Sequence, residues 1–310
     1  MNYTNGRRYY TFDQYSLELF GEKVYKISIN GNMSCPNRDG TCGDRGCIFC
    51  SEGGSGEFSG DGMTSVTRQL DTAIGRAAVR HPEIRRYIAY FQPFTNTYAP
   101  TAYLEQIFTE AIRHPLICGL SIATRPDCIS ADTYVLLEQL GRIKPVWIEL
   151  GLQTIHEDTA RFIRRGYPLP VFDEAVTRLA QCGIPVIVHT ILGLPGEGRT
   201  ELAATMAHLN RLPVKGIKLQ LLHILKGTDL AAYLGRIPIL TLEEYVDLVA
   251  LCIGSLRPDI VIHRITGDGP AELLLAPLWS KNKKYVLNQI NHGLKTRGIT
   301  QGIYLEGMEV

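Results

Sequence analysis

Cys35, Cys47 and Cys50 fall within one Gly-rich run, Cys35-Pro-Asn-Arg-Asp-Gly-Thr-Cys-Gly-Asp-Arg-Gly-Cys47-Ile-Phe-Cys50. The run follows an alternating apolar stretch at 23–29 that reads as a first strand. Three thiolates from one loop are too few to close a tetrahedral metal site. They suit a cubane iron–sulfur cluster with one iron left open to a small molecule, and an open iron implies an enzyme. Counting Cys42, the loop reads C-x6-C-x4-C-x2-C, the pattern of a closed four-cysteine zinc site in a non-catalytic interaction protein. If the cluster reading holds, Cys42 flanks it as a spare thiol. The remaining cysteines, Cys118, Cys128, Cys182 and Cys252, lie in apolar or helical surroundings, where a free cysteine packs as a small hydrophobe.

Strands and helices alternate behind this loop. Strands are expected at 23–29, 87–92, 119–124, 146–153, 185–192 and 216–224, and helices at 66–80, 102–113, 131–140, 171–181 and 201–209. Ser65, Thr101, Ser130 and Asp132 supply helix starts, and Gly141 and Gly183 supply stops. Near-continuous apolar strands separated by helices imply a parallel sheet covered on both faces. The expected fold class is therefore α/β, a partial (β/α)6 TIM-type barrel over residues 1–225. A short α/β extension follows at 226–310, with a helix at 240–256, a strand at 260–265 and a closing helix at 278–295. In such folds ligands bind at the carboxyl ends of the strands, where the cysteine loop falls.

Other residues at those ends could act on a substrate. Arg125 and Asp127 follow the third strand, His189 lies in the fifth, Lys218, His223 and Lys226 belong to or follow the sixth, and His263 and Arg264 belong to the last. Arginine favours carboxylate and phosphate partners, so Arg125 and Arg264 stand out, whereas a histidine inside an apolar strand is commonly a satisfied core residue. The turn Thr266-Gly-Asp-Gly-Pro270 could approach a ligand closely, and the Gly- and Ser-rich stretch at 51–62 has the composition of a flap. Basic clusters occur at 85–86, 161–165, 281–284 and 295–297; the last two, with Trp279 and Tyr285 nearby, combine phosphate contacts with base stacking.

Composition narrows the class. The 310 residues are 45% hydrophobic, enough for one large core, and the net charge is +1, so any basic footprint must be local. No apolar run reaches a membrane-spanning length, and the start lacks the apolar segment of a leader. Free thiols in a cluster loop fit a reducing cytoplasm.

The C-x11-C-x2-C spacing with Phe49 before the last cysteine resembles the radical S-adenosylmethionine enzymes, more closely the branch of the elongator catalytic subunit and the YhcC/YtqA-like family. The resemblance to that family runs along nearly the whole chain. It includes Cys-Pro-Asn-Arg-Asp-Gly-Thr at 35–41, Tyr-Phe-Gln at 90–92, Thr-Asn-Thr-Tyr-Ala-Pro at 95–100 and Thr-Arg-Pro-Asp at 124–127. It continues with Glu-Leu-Gly-Leu-Gln at 149–153, Gly-Leu-Pro-Gly-Glu at 193–197, Leu-Lys-Gly-Thr at 225–228 and Thr-Gly-Asp-Gly-Pro at 266–270.

The resemblance implies the same barrel, a [4Fe–4S] cluster on Cys35, Cys47 and Cys50, and S-adenosylmethionine cleaved by one electron to a 5′-deoxyadenosyl radical. The electron would come from a donor such as flavodoxin or ferredoxin. Phe49 would pack on the adenine and Gly193 and Gly196 would lie at its backbone contacts. Gln92 stands where the superfamily usually binds the methionine amine through Gly-Gly-Glu, a segment absent here. Glu149 and Gln153 would accept from the ribose hydroxyls or the ammonium; the alternative for Glu149 is a structural ion pair. The elongator relative acts on tRNA wobble uridine. The YtqA-like branch is similar to proteins that trim carboxymethylaminomethyl to aminomethyl on that base, which would give Arg264 or Arg125 a carboxylate to hold. A small-metabolite substrate is the alternative.

Overall fold

The computed structural model describes residues 3, 6–57, 59–267 and 269–305. Phe58 of the flap stretch, Asp268 of the 266–270 turn and residues 1, 2, 4, 5 and 306–310 lie outside the described residues.

Six strands pair in chain order, all parallel: β1 (Tyr25–Ile29), β2 (Tyr87–Phe91), β3 (Ile117–Thr124), β4 (Val146–Gln153), β5 (Val186–Leu192) and β6 (Gly216–Leu221). The expected strand continues only to Leu221; β7 (Ile224–Leu225) leaves the sheet and pairs antiparallel with β9 (Leu274–Ala276). Between these two, β8 (Val261–Arg264) returns to pair with β6 as the seventh strand of the sheet. The sheet curls into an open half-barrel, and the extension thus contributes its strand to the same wall.

Helices α2 (Val66–Arg80), α3 (Thr101–Arg113), α4 (Ala131–Gly141), α6 (Leu169–Gln181) and α7 (Arg199–Asn210) cover the convex face. Ser65 and Ser130 cap α2 and α4, accepting from Arg68 N and Thr133 N. Thr101 instead begins α3 behind Pro100, and Gly141 is the last residue of α4. The outward side chains Ile122, Ile148, Val188 and Leu219 are fully buried beneath these helices, each worth about 1.5–3 kcal/mol.

The concave face has layers. At its amino end Val24, Ile88, Cys118, Trp147 and Ile187 form an apolar floor plugged by α1 (Phe12–Phe20) through Phe12, Tyr15 and Phe20. Tyr15 Oη accepts from Trp147 Nε1 at 3.2 Å, and both Tyr15 and Phe20 meet the indole edge-on. Two residues further along the strands the inward side chains turn polar, and that layer is the base of the site. A short helix α5 (Glu157–Phe162) follows β4. At the carboxyl end of the chain α8 (Leu242–Ser255) packs between α7 and α9, its Tyr245 Oη donating to Ile265 O, just past β8, at 3.1 Å. The closing helix divides: a 3-10 turn at Leu278–Lys281 ends at Asn282, whose side chain caps α9 (Lys283–Thr296) at Tyr285 N. No helix among the described residues is long and apolar enough to cross a membrane.

Candidate functional site

The cysteine loop leaves β1 and folds over the carboxyl ends of the strands by bonding to itself and to its neighbours. Gly46 N donates to Asn37 O at 2.6 Å, Cys50 N to Cys47 O at 2.9 Å, Ile48 N to Ile163 O at 3.2 Å and Leu230 N to Ile48 O at 2.8 Å. Asn37 Nδ2 donates to Arg164 O at 2.7 Å and lies 3.5 Å from Cys47 Sγ. Two glycines make this possible. Gly46 has φ +75°, and a Cβ on Gly166, at φ +84°, would stand 2.7 Å from Asn37 Oδ1. Asp229 ties the loop from outside, pairing at 2.5 Å with both Arg45 and Arg164.

Cys35, Cys47 and Cys50 open into one cleft of about 240 Å³, which Phe49, Gln92, Glu149, Gln153 and Arg264 also line. Cys42 is exposed on a different cleft, with Arg45, Arg161 and Arg164, so the four cysteines do not converge. Burial pushes the Cys47 thiol up to about 12 and raises that of Cys50.

Four rim residues expected to contact cofactor are placed as follows. Gln92 holds the flap: its Nε2 donates to Ser55 O at 2.6 Å while Ser28 Oγ donates to its Oε1. Gly193 and Gly196 form the turn after β5 at φ +90° and +83°, beside the cleft and not among its lining residues. Gln153 ends β4 at a register shift, with φ +66° in the left-handed region that a glutamine rarely adopts. Its Oε1 is buried without a hydrogen-bond partner.

Arg125 and Asp127, expected to face substrate, face each other: Nε and Nη2 of Arg125 donate to the two carboxylate oxygens at 3.0 and 2.6 Å. Arg125 Nη1 donates to Arg165 O at 2.9 Å, and its guanidinium lies 5.1 Å over the Tyr167 ring, beside Cys35 and Cys47. Arg165 covers the same ring at 4.9 Å, and Tyr167 Oη donates to Gly151 O, which fixes the irregular end of β4. Arg165 figured in the sequence only as the end of the basic run 161–165 and Tyr167 did not stand out, since both fall between elements. His223 packs against Gly267 and Gly269, where an ideal Cβ would come within 2.3 and 2.8 Å of its ring. The glycines of that turn are thus required by a close approach.

The polar layer below consists of Lys26, Tyr90, Ser121, Glu149, His189 and Lys218, one from each of β1 to β6. Glu149 is fully buried at its centre. Its Oε1 accepts from Lys26 Nζ at 2.7 Å and Ser121 Oγ at 2.6 Å. Its Oε2 accepts from Lys218 Nζ and lies 2.6 Å from His189 Nε2. Lys218 Nζ also donates to Tyr90 Oη at 3.1 Å. Burial alone would raise the Glu149 carboxyl, but Lys218 and Lys26 outweigh it and hold it well below the usual carboxylate range. Burial pushes His189 down to about 4 and Lys218 down to about 7, in each case with help from neighbouring cations. His263 is driven well below its usual range, by burial first and then by Lys26.

A parallel half-barrel with a three-cysteine loop at its carboxyl rim defines a class, and the comparisons agree. Residues 40–209 match the Radical SAM superfamily and residues 214–296 the Radical SAM C-terminal domain. The chain belongs to the radical SAM superfamily; it is an enzyme, and its cofactors are a [4Fe–4S] cluster and S-adenosylmethionine. It is 41% identical over 305 residues to the uncharacterized protein YtqA of Bacillus subtilis strain 168, covering 98% of this chain and 94% of that one. Elongator complex protein 3 of Schizosaccharomyces pombe is 28% identical over 189 residues, which cover 58% of this chain and 34% of that protein. Among solved structures the N-terminally deleted archaeal Elp3 of Methanocaldococcus infernus superposes with a TM-score of 0.68 over 92% of this chain and 67% of that one, at 15% identity. The residues present fit the cofactors: three soft sulfur donors share one cleft, and Gln153 points an unpartnered amide oxygen into a buried part of it.

Proposed function

We propose that this is a cytoplasmic radical SAM enzyme that modifies the side chain of a tRNA wobble uridine, trimming carboxymethylaminomethyl to aminomethyl. When bound, the cluster and S-adenosylmethionine would supply a two-electron oxidation of the side-chain methylene beside nitrogen, with S-adenosylmethionine reduced to methionine and deoxyadenosine, after which water would release the carboxymethyl carbons as glyoxylate and leave the amine. The chain's own residues then have the tasks of holding the cofactors, placing the substrate and excluding water. Cys35, Cys47 and Cys50 hold the cluster, and Arg38 braces their loop by donating to Cys50 O at 3.2 Å. Phe49 and Gln153 contact S-adenosylmethionine at the rim. Arg264, which lines the cleft next to Lys218 in the sheet, helps to receive the side-chain carboxylate.

The observation that carries the RNA reading is the route from the cleft to the basic run. Leu225 lines the cleft and pairs with Leu274 of β9, and β9 leads through the 3-10 turn to exposed Lys281, Lys283 and Lys284. Tyr285, 49% exposed, offers a ring for stacking beside them. The test is incubation of the reduced, reconstituted enzyme with S-adenosylmethionine and tRNA carrying carboxymethylaminomethyluridine, followed by nucleoside mass spectrometry. Aminomethyluridine supports the reading. Unchanged nucleoside, alongside deoxyadenosine formation stimulated by a small metabolite, overturns it.

Replacing Lys283 and Lys284 together by Glu should weaken tRNA binding about tenfold near 0.1 M salt and flatten the salt dependence by roughly two phosphate contacts. Unaltered slope and affinity would remove α9 from the RNA path. A separate expectation concerns Gln153. Gly tolerates its positive φ, so Gln153→Gly should leave folding stability within about 1 kcal/mol, the relief of strain offsetting the added chain entropy. Binding of S-adenosylmethionine to the unreduced holoprotein, followed by calorimetry, should weaken by about tenfold with the lost amide. Equal affinity would exclude the side chain from the cofactor site.

A further inference from the structure

Among the described residues, the polar layer beneath the rim sets two ammonium groups, Lys26 and Lys218, around one carboxylate, Glu149. The acidic residues lining the cleft are Glu57, at the flap, and Glu149, at the base, while Arg38, Arg125, Lys218 and Arg264 line it as bases. Arg38 is engaged with the Cys50 and Ser51 carbonyls and Arg125 with Asp127. At the base Glu149 stands between two ammonium groups, Lys26 and Lys218, with both oxygens already bonded. It therefore has no acceptor left for a substrate cation. Lys218, with a side chain 5% exposed, carries three N–H donors, and Glu149 and Tyr90 take two of them. Protonated Lys218 leaves one positive charge in excess beside Lys26 and Glu149, and burial pushes its pKa down to about 7, so an anion bound at Lys218 would hold the proton on it.

We propose that the base of the cleft is a carboxylate-binding subsite, in which Lys218, flanked by Arg264 from β8, receives an anionic group of the substrate. The inference rests on the reading of this cleft as the active site and adds the residue that anchors the substrate within it. Glu149 precedes Gln153 by four residues on β4, so the subsite lies about 13 Å down the strand from the rim. That depth separates it from the cysteine loop and sets it where a substrate side chain, entering past the cofactors, would end. A point charge with one remaining donor matches one carboxylate oxygen, and the charge-assisted bond would relieve the excess. Lys218 is on this account a positioning residue: it fixes where the reacting carbon stands and takes no part in the bond that breaks.

The test uses the reconstituted holoprotein with S-adenosylmethionine and no reductant, so that binding is read without turnover. Two probe pairs are titrated: anticodon stem-loop RNAs carrying carboxymethylaminomethyluridine or aminomethyluridine, and N-benzylglycine or its methyl ester. The wild type should prefer the acid of each pair about tenfold or more. Lys218→Met should bind acid and uncharged analogue alike while keeping the wild-type affinity for the analogue, and Lys218→Arg should keep a preference. If neither RNA binds but N-benzylglycine is preferred over its ester, the RNA reading falls and the subsite stands. A wild type with no acid preference in either pair overturns the subsite, and so does a preference that survives in Lys218→Met. The wild-type comparison decides the matter even if Lys218→Met fails to fold.

Discussion

Cys35→Ala, Cys47→Ala and Cys50→Ala are each expected to take 5′-deoxyadenosine formation to background, a loss on the order of a thousandfold or more. Cys42→Ala should stay within about twofold of the wild type. The measurement is anaerobic reconstitution with iron and sulfide, then dithionite and S-adenosylmethionine, with bound iron and deoxyadenosine both quantified. The contrast follows from placement. Cys35, Cys47 and Cys50 share a cleft, and Cys42 sits on another surface although it lies between them in sequence. Each of the three is held by a different bond set, so the loss of one thiol leaves the other two in place. Cys35 is fixed by Arg38 N, which donates to its carbonyl at 2.8 Å, Cys47 by Asn37 and the Ile48–Ile163 bond, and Cys50 by its own turn and the Arg38 side chain. A cubane with two protein ligands has neither the affinity nor the geometry to present one open iron. A Cys42→Ala variant that loses iron along with activity would return the loop to the four-cysteine reading.

Much of the frame was legible because its signals are local. The expected bounds 66–80 and 146–153 coincide with α2 and β4, one set by a Ser cap and a helical repeat, the other by an apolar run interrupted at Glu149 and ended by Gln153. What failed depends on distant partners. Helix α1, nine residues long, was not anticipated; its stability comes from Trp147, more than a hundred positions away in the chain. The departure of β7 from the sheet is decided by Leu274 and Ala276, which no reading of 216–225 contains. Within the site, Glu149, His189, Lys218 and His263 each drew notice as polar residues in apolar strands, but they were weighed singly. Lys26 was passed over because lysine in an alternating strand reads as the solvent side. The signal was available: the strands of the barrel carry a polar residue at an inward mid-strand position, and only a ring of them makes that affordable. The pairing of Arg125 with Asp127 could also have been suspected, since residues two apart at a strand end can share a side of the chain.

The ring leads to the second large effect. Glu149→Gln keeps the shape of the side chain and removes the one carboxylate that, among the described residues, Lys26, Lys218 and His189 share, leaving ammonium groups in the layer unpaired. The expected cost is about 3–5 kcal/mol, read as a fall of roughly 8 °C or more in the melting midpoint. Combining Glu149→Gln with Lys218→Met should recover part of that loss, because the double variant buries one unpaired charge fewer. Acid should act on the same layer. Both Glu149 and His189 have folded pKa values below their ordinary ones, His189 at about 4. For a depressed pKa the unfolded chain takes up its proton first, so stability is retained above the unfolded value and lost as pH falls. His189 accounts for the loss between about pH 6.5 and 4, at most about 3 kcal/mol, and Glu149 extends it below about pH 4.5. Melting midpoints of wild type and His189→Gln across pH 8 to 4 isolate the histidine's share: the variant's curve should be flatter between pH 6.5 and 4. Parallel curves, or a Glu149→Gln protein as stable as the wild type, would mean that water reaches this layer and that the charges there are solvated, not paired.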